Sequence, residues 1–358
     1  MAHFLGLGLT HYPLLAGTDE HMASLLRWTL ADPDIPAAEK DPANWPAAMR
    51  AEWGSDQGVA AAAKHRKQLT DNLFRCREAL DEFEPDVMVV WGDDQYENFR
   101  EEIIPPFCVL AYGDVEAWPF ELMTERGSPN AWGLPDDTTI TVHGDPENAR
   151  WLTTKLLDRG FDMAYSYEKR KDSAFPHAIV NTQLFLDYPN AGAAFPYRLI
   201  PITVNCYGPH VIARRGGLAR FAQIKDERTD PVGPSPARCF GLGRAVAQSF
   251  AETDLRVALV ASSSWSHAFL VDKNWHLTPD TQADLRLYQL LKNGDFEKWQ
   301  ATTTPDIIES GQQEILNWFC LVGAAEELGL ELAWSEFVTT DVFNSNKCFA
   351  VFQEGKNR

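Results

Sequence analysis

Residues 86–95 run Asp86-Val-Met-Val-Val-Trp91-Gly92-Asp93-Asp94-Gln95. The short apolar stretch, bounded by Pro85 on one side and Gly92 on the other, reads as a central strand. Its polar tail, Gly92 to Gln95, then lies at the strand's C-terminal end. Upstream, residues 56–82 carry one long helical pattern that stops at Glu84-Pro85.

The same alternation continues outward. Residues 3–10, apolar and Gly-rich, predict a buried strand that exits at His11-Tyr12-Pro13. Helical spacing covers 20–30. Further strands are expected at 139–142, 198–204, 256–262 and 347–352, with helices at 148–159, 237–252, 281–293 and 311–328. Alternating strands and helices imply an α/β fold, a central mixed sheet flanked by helices in a single large domain spanning 1–358. Residues 32–55, rich in Pro, Ala and Asp, read as a loop or lid inserted near its start. Sites in such sheets collect outside the strand C-termini. Four polar clusters fall there: Thr10-His11, Gly92 to Gln95, Asn205-Cys-Tyr-Gly208 and Ser262-Ser-Ser-Trp-Ser-His267.

The chain has 358 residues, 45% hydrophobic and 23% charged, which is globular and excludes a disordered or fibrous chain. Asp plus Glu number 51 against 32 Lys plus Arg, a formal charge of −19. That charge repels phosphate backbones and anionic lipid, so neither nucleic acid nor membrane is an expected partner. No apolar run approaches the roughly 18 residues of a membrane span. The N-terminal Met1-Ala-His-Phe-Leu-Gly6 lacks the basic and apolar regions of a secretory signal. Six cysteines lie scattered without a Cys-x-x-Cys pair, which suggests reduced buried thiols and a cytoplasmic location. Twelve Trp and twenty Phe imply large apolar pockets or a subunit interface.

Several residues in the polar clusters are chemically capable. His11 ends an apolar strand, where imidazole serves as metal ligand, acid/base or simply a hydrogen-bonded strand end. Asp93, Asp94 and Gln95 end a second strand; adjacent acids there bind a hard cation, orient a histidine or cap the turn. Ser310 and Gln313 fit a capping box, which places Glu314 in a first helical turn. The helix dipole favours an acid there without any function, while a rigid helix start also suits a metal-ligating carboxylate. His267 ends a run of small hydroxyl residues. A Ser/His pair raises hydrolase chemistry, but no Gly-x-Ser-x-Gly elbow frames a nucleophile. His177, after Phe175-Pro176, reads equally as packing or as a loop histidine entering a pocket. His65, among Lys64, Arg66 and Lys67, reads as part of a solvated helix face. Arg100, Arg170, Arg214 and Arg215 are candidates to bind a substrate carboxylate, with surface solvation as the plainer reading.

Taken in order, these segments resemble the class III extradiol ring-cleaving dioxygenases, the superfamily of the catalytic β subunit of protocatechuate 4,5-dioxygenase. The matching pieces are Leu5-Gly-Leu-Gly-Leu-Thr-His11-Tyr-Pro13, Pro85 to Phe99 with Ile103-Ile-Pro105, Phe175-Pro-His177, Pro201 to Tyr207, Ser262 to His267, and the helix bearing Glu314. The resemblance covers roughly residues 3–330. It implies a mononuclear iron(II) held by two histidines and a glutamate, with His11 as the first ligand and Glu314 as the carboxylate. It implies His267 as acid/base and His177 as a substrate-side histidine, acting on a catechol-type aromatic and O2. Homodimeric or larger assembly follows family habit. The family's second ligand histidine ends an Asn-Asp-His-like turn, and the matching position here is Gln95. Its neutral amide oxygen is a weaker ligand for iron(II) than imidazole. Asp93 or Asp94 is the alternative, or no side chain at all, with the metal held loosely or absent. Two other readings stay open: a metal-dependent hydrolase or lyase using His11, Asp94 and Glu314, and a non-catalytic subunit.

Overall fold

Leu5, Leu7 and Leu9 of strand β1 (His3–Leu9) are buried on one side of the strand, and Gly6 and Gly8 alternate with them. The glycines admit a helix at backbone distance: a Cβ on Gly8 would lie 2.0 Å from the Trp318 indole. The computed structural model that shows this describes residues 1–355 apart from 126, 172, 226 and 227.

Around β1 the strands are β2 (Val87–Asp93), β3 (Phe107–Leu110), β4 (Val115–Ala117), β5 (Ile140–Val142) and β6 (Ala164–Ser166). They continue with β7 (Leu199–Val204), β8 (Arg256–Ser262), β9 (Glu331–Val338) and β10 (Lys347–Gln353). Eight of them form one sheet in the order β6-β3-β7-β2-β8-β1-β10-β9. The four central strands, β7, β2, β8 and β1, run parallel. Antiparallel β3 and β10 flank them, which makes the sheet mixed. The helices of ten or more residues are α1 (Val59–Phe83), α2 (Pro146–Asp158), α3 (His177–Leu186), α4 (Pro236–Phe250), α5 (Thr281–Asn293) and α6 (Leu316–Leu328). Leu69 and Leu73 of α1 and Ile179 and Leu184 of α3 join the core on one face of the sheet. Leu152 of α2, Phe240 of α4 and Phe319 of α6 join the core on the other. Burial on both faces explains why the parallel strands read as continuous apolar runs. The expected α/β architecture is the one observed.

Helices α4 and α6 meet where a Cβ on Gly323 would lie 2.1 Å from the Phe240 carbonyl oxygen. Backbone cannot retreat as a flexible side chain can. Gly323→Val is expected to cost about 3 kcal/mol, the upper end for overpacking, read as a lower urea midpoint.

Several local expectations change. Strands β3, β4, β6 and β9 carry no clear sequence signal; β3, β4 and β6 are short, and β9 is an edge strand that is only partly buried. The strand expected at 139–142 forms, but it pairs only with β4, outside the main sheet. Residues 32–55 hold two short helices, Ala37–Lys40 and Ala47–Trp53. Trp45, Met49 and Trp53 anchor this segment in the core, and none of its residues is among those lining the cavity described below. Ser310 caps no helix start. It closes the C-terminus of Thr304–Glu309, and the capping box lies at Thr303 and Asp306. His65 is buried on the α1 stripe with Leu69 and Leu73, its ring 4.8 Å from that of Phe343. Its charged neighbours masked that four-residue spacing. Burial, with Lys347 and Arg66 nearby, pushes its pKa well down.

All six cysteines are buried and free. Among the described residues, no helix is long and apolar enough to cross a membrane.

Candidate active site

Strands β1, β2 and β8 run parallel and therefore end at one edge of the sheet. Their ends deliver His11, Asp93 and the run from Ser263 to His267 to a common point. Glu314 comes from a different element, the 3-10 turn Gln313–Ile315 that leads into α6. His177 is the first residue of α3, which packs on the opposite face from α6. His11, Gln95, His177, His267 and Glu314 all line one cavity of about 630 Å³. That volume lies in the range of small-molecule binding sites.

The backbone places these side chains firmly. The His11 ring donates from Nδ1 to the Ser262 carbonyl at 2.8 Å. A carbonyl only accepts, so Nδ1 carries the proton and Nε2 presents its lone pair. Nε2 lies 3.5 Å from Asp93 Oδ1 and 3.6 Å from Glu314 Oε2. The Glu314 carbonyl accepts from Ser263 Oγ at 2.8 Å and from Asn317 Nδ2 at 3.1 Å, which fixes the turn. His267 likewise donates from Nδ1 to the Trp265 carbonyl at 2.7 Å, and its Nε2 lies 3.3 Å from Glu314 Oε1. Gln95 Nε2 donates to the same Oε1 at 2.8 Å.

His11, Asp93 and Glu314 offer ligand atoms that all lie within 4.8 Å of one another, and all three residues are buried. Both Asp93 oxygens and Glu314 Oε2 are buried without a hydrogen-bond partner. A buried unpaired carboxylate oxygen is costly. Three converging acceptors beside a neutral imidazole nitrogen are the donor set a divalent cation needs, so the residues fit a metal.

The electrostatics follow from this crowding. Burial and the neighbouring Glu314 push the Asp93 carboxyl well above its ordinary range. Burial alone would raise Glu314 too, but His267, His11 and His177 overcome it and hold it at about 2. Burial lowers His11 to about 4 against the pull of Glu314. It therefore stays neutral near pH 7, as a ligand must.

Asp94 faces away and serves the turn. It accepts from the Asn98 and Phe99 backbone amides at 2.9 and 3.1 Å and from the Tyr207 hydroxyl at 2.9 Å. Glu97 is a residue that the sequence reading did not single out. Its carboxylate accepts from His177 Nδ1, from the His177 backbone amide at 3.1 Å and from the Gln95 amide at 2.6 Å. His177 Nε2 is left buried and unpartnered. Nothing local flags Glu97, because its partner is 80 positions away.

Asp284 was also missed. It lies on α5 and accepts from Ser266 N, Gln312 Nε2 and Asn346 Nδ2, which braces the loop that carries His267. Burial outweighs these donors and raises its carboxyl to about 7. The folded chain therefore binds a proton here that the unfolded chain has released above its ordinary pKa. Stability from this group falls as pH rises from about 4 to about 7 and is level beyond. Asp284→Asn is expected to flatten that part of the pH–stability profile, measured by denaturant unfolding.

Of the four arginines, Arg100 and Arg215 line the cavity. Arg214 is turned to the Phe269 carbonyl and Arg170 to the Asn98 carbonyl.

A family model described as the catalytic LigB subunit of aromatic ring-opening dioxygenase matches residues 229–352, the segment with β8, His267 and Glu314. The chain is 25% identical over 227 residues to a 2,3-dihydroxyphenylpropionate/2,3-dihydroxicinnamic acid 1,2-dioxygenase of Photorhabdus laumondii, covering 63% of this chain and 56% of that protein. It is 28% identical over 206 residues to the protein of that name from Comamonas testosteroni, covering 58% and 50%. These matches support the class III extradiol dioxygenase superfamily as the group this chain resembles. It spans about half the length of the curated relatives it matches. The strand-end His11, the distant Glu314 and His267 after β8, which the resemblance assigned to the site, are neighbours here.

Proposed function

We propose that this chain is a metal-dependent extradiol dioxygenase that uses iron(II) and O2 to open the ring of a catechol-type aromatic in the cytoplasm. The observation that carries the reading is the meeting of His11 and Glu314 at 3.6 Å on the floor of a cavity shared with His267 and His177. His11 and Glu314 would hold the metal, with a third group from the end of β2. When bound, iron(II) supplies the redox path between an electron-rich ring and dioxygen and leaves coordination positions open to both.

The protein's own work is proton transfer and orientation. His267 has Nδ1 committed to a carbonyl, so Nε2 is the atom that takes a phenolic proton and later returns it. His177, oriented by Glu97, directs Nε2 at a substrate oxygen. Tyr12, Val180 and Phe269 offer apolar walls for the ring. The cleaved bond lies beside, rather than between, the two hydroxyls. The relatives are named for a dihydroxyphenyl ring with a carboxylate arm. Arg100, Lys169, Lys171 and Arg215 line the same cavity, on a chain of net charge −19, and suit an anionic arm.

Protein prepared anaerobically and loaded with iron(II) is expected to consume oxygen and form a yellow ring-opened product from a carboxylated catechol. Fully loaded protein that does neither across a broad catechol panel overturns the reading. The carboxylate-rich set at the site also supports a hydrolase or lyase; activation by zinc or manganese without oxygen uptake would identify that case. Homodimeric or larger assembly is part of the proposal, and a single sharp mass near 40.2 kDa in solution would overturn it.

A further inference from the structure

We infer that Asp93, the last residue of β2, is the third protein ligand of the cation held by His11 and Glu314, and that Gln95 is a positioning residue for Glu314. The inference deepens the metal-dependent reading and rests on it.

Gln95 occupies the turn position where the resemblance expects an imidazole, but its side chain is already committed. Its Nε2 donates to Glu314 Oε1. An ionised carboxylate only accepts, so the amide must present nitrogen and not oxygen to Glu314. The Gln95 backbone amide is tied to Glu97, which fixes the turn around it. Gln95 therefore holds one oxygen of Glu314 and leaves Oε2 for the cation.

Asp93 shows the opposite pattern. Its side chain is 1% exposed, and neither oxygen has a partner. Oδ1 stands 3.5 Å from His11 Nε2, the nitrogen that the Ser262 carbonyl leaves unprotonated. Asp93, His11 and Glu314 are close enough to share one ion at bonds of about 2 Å. The neighbouring Asp94 spends its oxygens on Asn98, Phe99 and Tyr207. Moving the ligand from the turn to the strand end exchanges a neutral imidazole for a carboxylate. Two carboxylates and one neutral imidazole balance a divalent charge, and the pair is mutually repulsive without it.

The test is anaerobic titration of the full chain with iron(II), manganese(II) and cobalt(II), for wild type, Asp93→Asn and Gln95→Ala. Asp93→Asn is expected to weaken metal binding by more than about 100-fold and to alter the cobalt absorption spectrum. Gln95→Ala is expected to weaken it by about tenfold, the lower scale for losing an outer partner, and to leave the spectrum close to wild type. Without metal, Asp93→Asn is expected to melt at or above the wild-type temperature, because it removes a buried carboxyl that makes no hydrogen bond and faces Glu314. It should also lose the metal-induced rise in melting temperature. A purely structural Asp93 would lower the metal-free melting temperature instead, and that result overturns the inference. So does wild-type affinity in Asp93→Asn, or a larger loss in Gln95→Ala. If wild type binds no divalent metal, the metal-dependent reading falls with it. If wild type binds metal, Asp93→Asn does not, and no catechol is consumed, the assignment of Asp93 stands and the dioxygenase reading falls.

Discussion

Glu314→Gln is expected to abolish measurable ring opening and to weaken iron(II) binding by more than about 100-fold, since even an outer partner of a metal ligand costs 10–100-fold. The substitution keeps the shape of the side chain and removes its charge. Glu314 is the meeting point of the site, with Oε2 3.6 Å from His11, and Oε1 taken by Gln95 at 2.8 Å and facing His267 at 3.3 Å. Its carboxyl is held at about 2 by the surrounding histidines against the opposing effect of burial, so it is ionised across the working pH range. Removing that charge leaves three histidine rings facing a neutral amide. The backbone contacts from Ser263 and Asn317 do not involve the side chain and should keep the turn intact. Circular dichroism should therefore be unchanged while oxygen uptake and metal content fall. Retained activity with full metal content would remove Glu314 from the site.

His267→Ala is expected to lower turnover by about 10²- to 10⁴-fold, the usual range for a positioned acid/base, with metal affinity within about tenfold of wild type. The separation of the two effects is the informative part. His267 shares Glu314 Oε1 with Gln95, but it does not belong to the close group formed by His11, Asp93 and Glu314. Its ring is set by the Trp265 carbonyl and its loop by Asp284, so Nε2 sits at a fixed point in the cavity. Loss of metal in step with loss of rate would make it a ligand instead. An unchanged rate would leave it without a role in proton transfer.

The fold was largely legible because its central strands are apolar for a local reason. A parallel strand covered on both faces needs apolar side chains in sequence, and the runs at 3–10, 86–91, 198–204 and 256–262 supply them. Their polar tails fall at one edge because parallel strands end on the same side, so His11 and the cluster ending at His267 could be placed together without coordinates. The edge strand β9 was not legible, because it is only partly buried and carries no continuous apolar run. The inward turn of His65 was also hidden, since the stripe it completes depends on what packs against α1.

Within the site, residue types were readable and pairings were not. Glu97 and Asp284 act through partners 80 and 28 positions away, and no local pattern encodes such a contact. Asp93 and Asp94 are neighbours of the same chemistry. From the chain alone either could face His11. Only the folded backbone decides it, because adjacent residues at a strand end point to opposite sides. One carboxylate is spent on the turn at Asn98 and Phe99, and the other is left unpaired beside His11.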